Sequence, residues 1–418
     1  MEKEELLQYV AQYLFEHPMQ KKEEYAVTDW AVTDSDFVAL ISAALDRWLT
    51  EGKLAKEFRY KLAEKMQTRY AVLTNSGSSA NLLALTAAKD FFGAKNGMKV
   101  ITCATAFPTT VAPIIQNGLV PLFIDINPET LTYDEELVVD LLSRDDVAGV
   151  FLAHNLGFPF DANMIYTHCM EQEKFLIADC CDALGTTING ESVGAIADFS
   201  TLSFFPAHHI TTGEGGSVQT DDARLFRLLQ QYGNWGRDCW CEPGKDNTCN
   251  KRFSHNFGTG LPIGYDHKYT FTKVGYNMKV TELQAAFGLS QISRVDEFIE
   301  KRRANYTKLY KIVKPYDLYL RTIPLPEGCS PFGFPMIASS SWTRQGFVEF
   351  LEASGVRTRP IFSGNILKHP MMQNTKYEVA GTLDASDSIM HKAFWIGVHP
   401  SVTEENLELF QRLLKEYF

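Results

Sequence analysis

The apolar positions of this chain follow a helical spacing at first and change, from about residue 70, to strands alternating with helices. Apolar residues at positions 6, 7, 10, 14 and 15 predict an amphipathic helix over residues 1–17. The segment DFVALISAALDRWLTEGK predicts a second helix ending near Gly52. Short apolar runs then predict seven buried strands, at residues 70–73, 99–103, 120–125, 148–153, 174–178, 199–204 and 216–220. Helical stretches separate most of these strands, which predicts an α/β fold with a mostly parallel sheet flanked by helices.

Residues 232–272 interrupt this alternation. They are rich in Gly, Asn, Asp and Cys, which predicts a long irregular insertion, and such insertions in compact domains usually carry function. A helix is predicted to resume around Thr281–Phe298. Beyond residue 300, a helix over 302–313, further strands and a final helix over 403–418 indicate a smaller α+β domain. The predicted division is an N-terminal helical segment (1–55), a large domain (56–295) and a small C-terminal domain (296–418).

Composition excludes some classes of partner. The chain has 418 residues, with 40 basic and 51 acidic side chains and a net charge of −11. An acidic protein of this kind is a poor ligand for nucleic acid or for an anionic membrane. The first residues, MEKEELLQYV, lack the basic and then apolar pattern of a signal peptide, and no apolar run approaches the roughly 20 residues of a membrane span. We therefore expect a cytoplasmic enzyme.

Three features lie where predicted strands end. The small residues Asn75–Ala80 precede a helix and suit a phosphate, although a plain capping turn also explains them. Phe107 follows another predicted strand, and its side chain could stack on a flat ligand ring. The alternative is that Phe107 is an aromatic residue of the core. Asp179 ends the strand KFLIAD, and a fixed carboxylate there is what a protonated pyridine ring needs.

The stretch Phe199–Ser217, FSTLSFFPAHHITTGEGGS, is predicted to run from a strand into a glycine-rich loop with two histidines. No lysine occurs between Lys174 and Lys245, so this strand end offers imidazole where many coenzyme enzymes offer an amine. An imidazole forms no stable imine, but it can move a proton near neutral pH. The loop therefore predicts acid–base chemistry instead of covalent attachment.

Together these stretches resemble the DegT/DnrJ/EryC family of fold-type-I, pyridoxal-phosphate-dependent enzymes. The matching segments are NSGSSANLLAL, AFPTT, IADCCDALG, LSFFPAHH, GEGGSV and GYNMKVTELQAA. In the family's sugar aminotransferases a lysine forms the Schiff base at the position that His208 holds here. That replacement is similar to the branch of 3-dehydratases acting on nucleotide 4-keto-6-deoxy sugars, which use pyridoxamine phosphate (PMP) with a histidine as base. The resemblance implies loss of the carbon-3 hydroxyl of such a sugar.

Four cysteines, Cys181, Cys239, Cys241 and Cys249, form the pattern C-x57-C-x-C-x7-C. From the residues alone, four thiolates suit either an iron–sulfur cluster or zinc, and the single-residue gap slightly favours a cluster. The resemblance implies that these four hold a [2Fe–2S] cluster, with the spacing selecting Cys181 over its neighbour Cys180. Cys181 lies two residues past Asp179, which implies a cluster within reach of the coenzyme.

The resemblance also implies the remaining roles. Asp179 would pair with the pyridine nitrogen and Phe107 would stack on the ring. The phosphate would be held by Gly77, Ser78 and Ser203, and by Asn277 of a second subunit, which implies a homodimer. The role of Asp182 stays open. Arg359 is either a substrate contact or a surface ion pair, and His209 is the alternative base.

Several alternatives remain at the level of sequence. The electron donor implied by the resemblance is an NAD(P)H-dependent flavin or iron–sulfur reductase. CDP is the favoured nucleotide, with TDP as the alternative, and GDP-sugar dehydratases work without a cluster. A PLP-dependent aminotransferase would need a lysine at the strand end. A non-catalytic, zinc-stabilised scaffold is the alternative from another class.

Overall fold

The computed structural model describes residues 2–19, 24–29, 31–258 and 260–418. Within these residues the helices are α1 Lys3–Glu16, α2 Asp34–Leu45, α3 Lys53–Lys65, α4 Gly77–Phe91, α5 Pro108–Gln116, α6 Glu135–Leu142, α7 Ala162–Glu171, α8 Ala223–Gly233, α9 Glu282–Ile292, α10 Val295–Val313, α11 Ser341–Ala353, α12 Asp384–Lys392 and α13 Glu404–Tyr417. The strands are β1 Tyr70–Thr74, β2 Lys99–Cys103, β3 Val120–Ile124, β4 Val147–Ala153, β5 Phe175–Asp179, β6 Thr187–Ile188, β7 Glu191–Ser192, β8 Phe199–Ser203, β9 Gly216–Thr220, β10 Leu320–Thr322, β11 Gly333–Ala338, β12 Glu378–Val379 and β13 Ala393–Gly397.

The main sheet has the strand order β1-β9-β8-β5-β4-β2-β3-β12. All pairings from β8 to β12 are parallel, whereas β9 runs antiparallel to both β1 and β8. Strands β4 and β5 are buried on both faces, as their continuous apolar sequences require. The carboxyl ends of β4, β5 and β8 therefore meet at one edge of the sheet, where ligands bind in open α/β sheets. This confirms the predicted α/β architecture of fold type I.

All seven predicted strands lie in this sheet, and a two-residue strand from the C-terminal part, β12, adds an eighth at the edge. The C-terminal part also forms the antiparallel sheet β10-β11-β13. Helix α8 ends at Gly233, and the described residues of the predicted insertion beyond it, up to residue 272, contain no helix longer than the 3₁₀ turn His267–Tyr269. None of the described helices combines the length and apolar character that crossing a bilayer requires.

The prediction that the second helix ends near Gly52 is wrong. Helix α2 stops at Leu45, Arg47 adopts a left-handed backbone with φ +59°, and a separate helix, α3, begins at Lys53. Helix α3 has no capping side chain of its own, since Gly52 stands at its N-cap. The predicted helix 281–298 is likewise two helices, α9 and α10, which meet near Arg294.

A carboxylate from a distant helix starts α3. Glu282 of α9 is 4% exposed and accepts hydrogen bonds from the backbone N–H groups of Gly52, Leu54 and Ala55 at 2.8–2.9 Å. The first N–H groups of a helix have no acceptor within the helix. A negative charge at this end is also stabilised by the positive end of the helix dipole. The start of α3 therefore depends on a residue more than two hundred positions away.

We expect Glu282→Ala to lower the free energy of unfolding by about 2–3 kcal/mol, because hydrogen bonds to a charged acceptor contribute most and the N–H groups stay buried. Urea denaturation followed by circular dichroism measures this change. Glu297→Ala is the matched control, since that carboxylate is exposed and, among the residues that the structure describes, forms its ion pair with Lys301. An unchanged midpoint for both variants would contradict the role given to Glu282.

Candidate active site

Asp179 is the centre of the site at the carboxyl edge of the sheet. It ends β5 and is 6% exposed. Its Oδ2 atom accepts hydrogen bonds from Asn81 Nδ2 and Thr110 Oγ1, both at 2.8 Å, and its Oδ1 atom accepts one from the Cys181 N–H at 3.1 Å. These three hydrogen bonds fix the orientation of the carboxylate and stabilise its negative charge. A protonated ring nitrogen requires a partner of this kind.

The predicted phosphate loop forms the N-terminus of α4. Ser76 is the N-cap and accepts a hydrogen bond from the Ser79 N–H, while Gly77 and Ser78 occupy the first turn. The loop packs against the end of β8 so closely that a Cβ atom on Gly77 would lie 2.5 Å from the Cβ atom of Ser203. Helix N–H groups without acceptors, the positive end of a helix dipole and neighbouring hydroxyls are the chemistry that binds phosphate. These residues fit a coenzyme phosphate.

Phe107 stands beside this loop, as the N-cap residue of α5, with a side chain that is 54% exposed. The same helix carries Thr110, which bonds Asp179. A large aromatic ring left exposed at the mouth of a buried polar site is poorly explained as core packing. The structure thus brings Phe107, Asp179, Gly77 and Ser203 to one edge of the sheet.

His208 lies in the loop after β8, with its Nδ1 atom 3.4 Å from Asp182 Oδ1. The side chain of His208 is 16% exposed and that of Asp182 is 10% exposed. Burial raises the pKa of Asp182 above its ordinary value, and His208 opposes that shift. Asp182 Oδ2 has no hydrogen-bond partner within the described residues. The pair can therefore hold and pass a proton, and one buried carboxylate oxygen stays available to a ligand.

His209 differs from its neighbour. It is 3% exposed, its Nε2 atom lies 3.3 Å from the Ser330 carbonyl oxygen, and burial with Arg302 nearby holds its pKa well below the ordinary value. A neutral ring bonded to the backbone is suited to holding the loop. This geometry favours His208 over His209 as the base.

Arg302 holds the His208 loop from the C-terminal part of the chain. Arg302 is 1% exposed, and its guanidinium donates to the carbonyl oxygens of Phe332 and His208, at 3.1 and 3.3 Å. Burial lowers the pKa of Arg302 to about 10, so the group stays charged at neutral pH, and Asp182 supplies the nearby negative charge. The ring of Phe332 lies 5.2 Å from that of His208 and 5.3 Å from that of Trp395.

Asn277 and Arg359 are exposed residues outside the buried group around Asp179. Asn277 is exposed and its Oδ1 atom accepts a hydrogen bond from Lys279 at 2.6 Å, while the Asn75 N–H binds the Met278 carbonyl oxygen at 2.7 Å. Asn277 therefore lies near the predicted phosphate loop, and no hydrogen bond joins the two within the described residues. Arg359 is exposed and donates to the Thr358 carbonyl oxygen; it forms no ion pair within the described residues.

Three of the four candidate ligand cysteines lie together in the insertion. The Cys241 N–H contacts Cys239 Sγ at 3.4 Å, the Thr248 hydroxyl contacts Cys241 Sγ at 3.1 Å, and Cys249 Sγ lies 3.9 Å from His267 Nδ1. Burial by itself would raise the pKa of the Cys241 thiol, but hydrogen bonds from Thr248 give a net downward shift. Cys181 does not lie in this group. Burial beside Asp179 raises the pKa of the Cys181 thiol well above its ordinary value.

The structure adds residues that sequence reasoning missed. Asn81 is a fully buried amide in an apolar helix, and Arg302 occupies a core position in the apolar stripe of α10. In the sequence, each is a polar residue at a position where the pattern predicts an apolar one, and this mismatch could have identified both. The donor atoms of Asp238, His255 and His267 lie within 4.8 Å of one another, which could hold a metal ion. The spacing of these three gives no recognised motif.

The mostly parallel sheet, the predicted phosphate loop and the buried carboxylate of Asp179 match the pyridoxal-phosphate-dependent enzymes of fold type I. More narrowly, the profile of the DegT/DnrJ/EryC1/StrS aminotransferase family matches residues 32–412, and the chain belongs to that family.

Two curated relatives are similar over most of their length. The lipopolysaccharide biosynthesis protein RfbH of Salmonella typhimurium is 43% identical over 387 residues, covering 91% of this chain and 88% of that protein. The dTDP-4-dehydro-2,6-dideoxy-D-glucose 3-dehydratase of Saccharopolyspora spinosa is 42% identical, covering 92% and 84%. A solved structure of the E. coli GDP-4-keto-6-deoxy-D-mannose 3-dehydratase with bound hydrated PLP matches with a TM-score of 0.83 and 26% identity, covering 93% of this chain and 99% of that one.

Proposed function

We propose that this protein is a PMP-dependent 3-dehydratase that removes the carbon-3 hydroxyl of a nucleotide 4-keto-6-deoxy sugar. One observation carries the proposal: a histidine paired with a buried carboxylate, His208 with Asp182, stands where the family's aminotransferases need a lysine. The similar proteins whose names state a reaction include 3-dehydratases for dTDP and GDP sugars, which supports this reaction class.

In this proposal the bound coenzyme supplies an electron sink next to the sugar. Gly77, Ser78 and Ser203 would hold its phosphate, Asp179 would keep its ring nitrogen protonated and Phe107 would cover its ring. His208 would remove the proton from the aminomethyl carbon, and the Asp182 carboxylate, whose Oδ1 atom lies 3.4 Å from His208 Nδ1, would orient the imidazole by its charge. Arg302 fixes the backbone of His208 and so sets the direction of that transfer.

The finer proposal adds a redox centre, in which Cys181, Cys239, Cys241 and Cys249 hold a [2Fe–2S] cluster that supplies single electrons. An NAD(P)H-dependent flavin or iron–sulfur reductase would be the donor, and the product would enter 3,6-dideoxysugar biosynthesis. We favour CDP-4-keto-6-deoxyglucose as substrate, on overall resemblance. All eight cysteines are unpaired, which supports a reducing, cytoplasmic location.

We also propose that residues 56–295 form the coenzyme-binding domain, with 1–55 as a helical segment, and that 296–418 form a small domain that completes the site. Arg302, Phe332 and Trp395 come from the latter and contact the His208 loop or its neighbours. Asn277 would reach the phosphate of a second subunit in a homodimer, and Arg359 would contact the substrate.

The test is anaerobic purification, an absorbance spectrum, and assays of iron and labile sulfide. The protein is then incubated with PMP, a reductase and the CDP-, TDP- or GDP-linked 4-keto-6-deoxy sugar. We expect iron, sulfide and a 3-deoxy product from one nucleotide series. Transfer of an amino group from glutamate in place of dehydration would support the aminotransferase. Zinc alone, without dehydration, would support the zinc-stabilised scaffold.

A further inference from the structure

The cysteines of the insertion lie at the open edge of the main sheet. Cys239 and Cys241 line a cavity together with residues 70–73 of the edge strand β1 and with Lys56 and Tyr60 of α3. The neighbouring Glu242 forms an ion pair with Lys56. The guanidinium of Arg227 on α8 packs over the ring of Trp240, with its Cζ atom 4.5 Å from the centre of that ring. The segment is thus fixed beyond β1, between α3 and α8.

Cys181 lies in the middle of the sheet. It follows β5, and its N–H is bonded to Asp179. Strands β8 and β9 separate β5 from β1. Since neighbouring strands lie about 4.8 Å apart, β1 is roughly 14 Å from β5. Bonds from thiolate sulfur to a metal are only about 2.3 Å long, so thiolates that share one cluster lie within a few ångströms of one another. A single chain in this arrangement therefore separates Cys181 from the other three.

Two exposed apolar surfaces suggest how the gap closes. The insertion and the residues just after it present Phe253, Ile263 and Val274, which are 60%, 101% and 95% exposed. The mouth beside Asp179 presents Phe107 and Phe205, which are 54% and 50% exposed. Unpaired apolar surface of this kind marks an interface. In a two-fold dimer the same pair of contacts occurs twice, so each insertion can cover the mouth of the other subunit.

We infer that the iron–sulfur site is completed between two copies of this chain, with Cys181 from one subunit and Cys239, Cys241 and Cys249 from its partner. The inference rests on the proposed function, because it presupposes that these four cysteines are the ligands. It assigns the insertion a second role, as the segment that joins the subunits. It also means that the redox centre forms only in the assembled dimer.

The experiment uses heterodimers of two differently tagged chains, one with Cys181→Ala and the other with Cys241→Ala, purified anaerobically on both tags. If the site forms between subunits, one of the two sites receives all four cysteines, and the heterodimer holds half of the iron and sulfide of the wild type. If each chain builds its own site, both sites lack a ligand and the heterodimer holds none.

A reciprocal heterodimer joins the doubly substituted chain, Cys181→Ala with Cys241→Ala, to a wild-type chain. Here a site between subunits gives no iron, whereas a site within one chain gives half. Half in the first heterodimer and none in the second supports the inference, and the reverse overturns it, as does a monomer that holds a full cluster. Wild-type protein without iron, or a singly substituted homodimer that keeps its cluster, contradicts instead the proposed cluster and its ligands.

Discussion

Replacing His208 with asparagine is expected to lower the turnover number for dehydration by about 10²- to 10⁴-fold, because the variant keeps a polar side chain but loses the group that accepts the proton. Coenzyme affinity should change little, since the phosphate loop and Asp179 are untouched. Steady-state kinetics gives the first quantity, and titration of PMP monitored by absorbance gives the second.

His209→Asn is the matched control for that experiment. His209 is buried and bonded to the backbone at Ser330, so its loss should lower the melting temperature while the folded enzyme keeps turning over. The opposite pattern, with His209→Asn inactive and His208→Asn active, would make His209 the base. His208→Lys adds an independent readout, since a lysine at this position should form a covalent Schiff base with PLP that borohydride traps and mass spectrometry detects. The native protein should give no such adduct.

Asp179→Asn is expected to weaken coenzyme binding and turnover together, by roughly 30- to 5,000-fold. Removing one partner of a buried charge pair costs about 2–5 kcal/mol, and each ~1.4 kcal/mol is a factor of ten. The asparagine has almost the same shape, so it can keep the hydrogen bonds from Asn81 and Thr110 through its oxygen. The substitution removes the negative charge proposed to face the ring nitrogen, and with it the acceptor for the Cys181 N–H.

Asp198→Asn separates this effect from a general loss of stability. Asp198 is also an aspartate with little exposure next to a central strand; burial raises its pKa to about 7, and its carboxylate accepts a hydrogen bond from the Leu176 N–H at 2.9 Å. It lies before β8, at the end of the sheet opposite the site. We expect normal PMP affinity for this variant. If Asp179→Asn lowered only the melting temperature and left PMP affinity intact, Asp179 would be structural.

The strands were predictable because most are short apolar runs that pair with neighbours on both sides, so local pattern and final burial agree; β1 lies at the edge of the sheet and pairs with β9. The same holds for Asp179, since a carboxylate at the end of such a run has few structural explanations. Helix α3 was not predicted because its start depends on Glu282, which is close to it in the fold but distant along the chain. The division of the helix around Arg294 also escaped, since that arginine turns to the buried Asp36 of α2, with its guanidinium 2.7 Å from both carboxylate oxygens.

The sequence alone determined which strands form and which residue types stand at the strand ends, because these follow from local polarity and from position along the chain. The family resemblance added the prediction that His208 stands where the aminotransferases carry a lysine. Only the tertiary structure decided that Asp182 faces His208, that Arg302 holds the same loop from the C-terminal part, and that Cys181 lies away from the insertion. These are contacts between segments far apart in the chain, and their geometry depends on how whole elements pack, which no local pattern records.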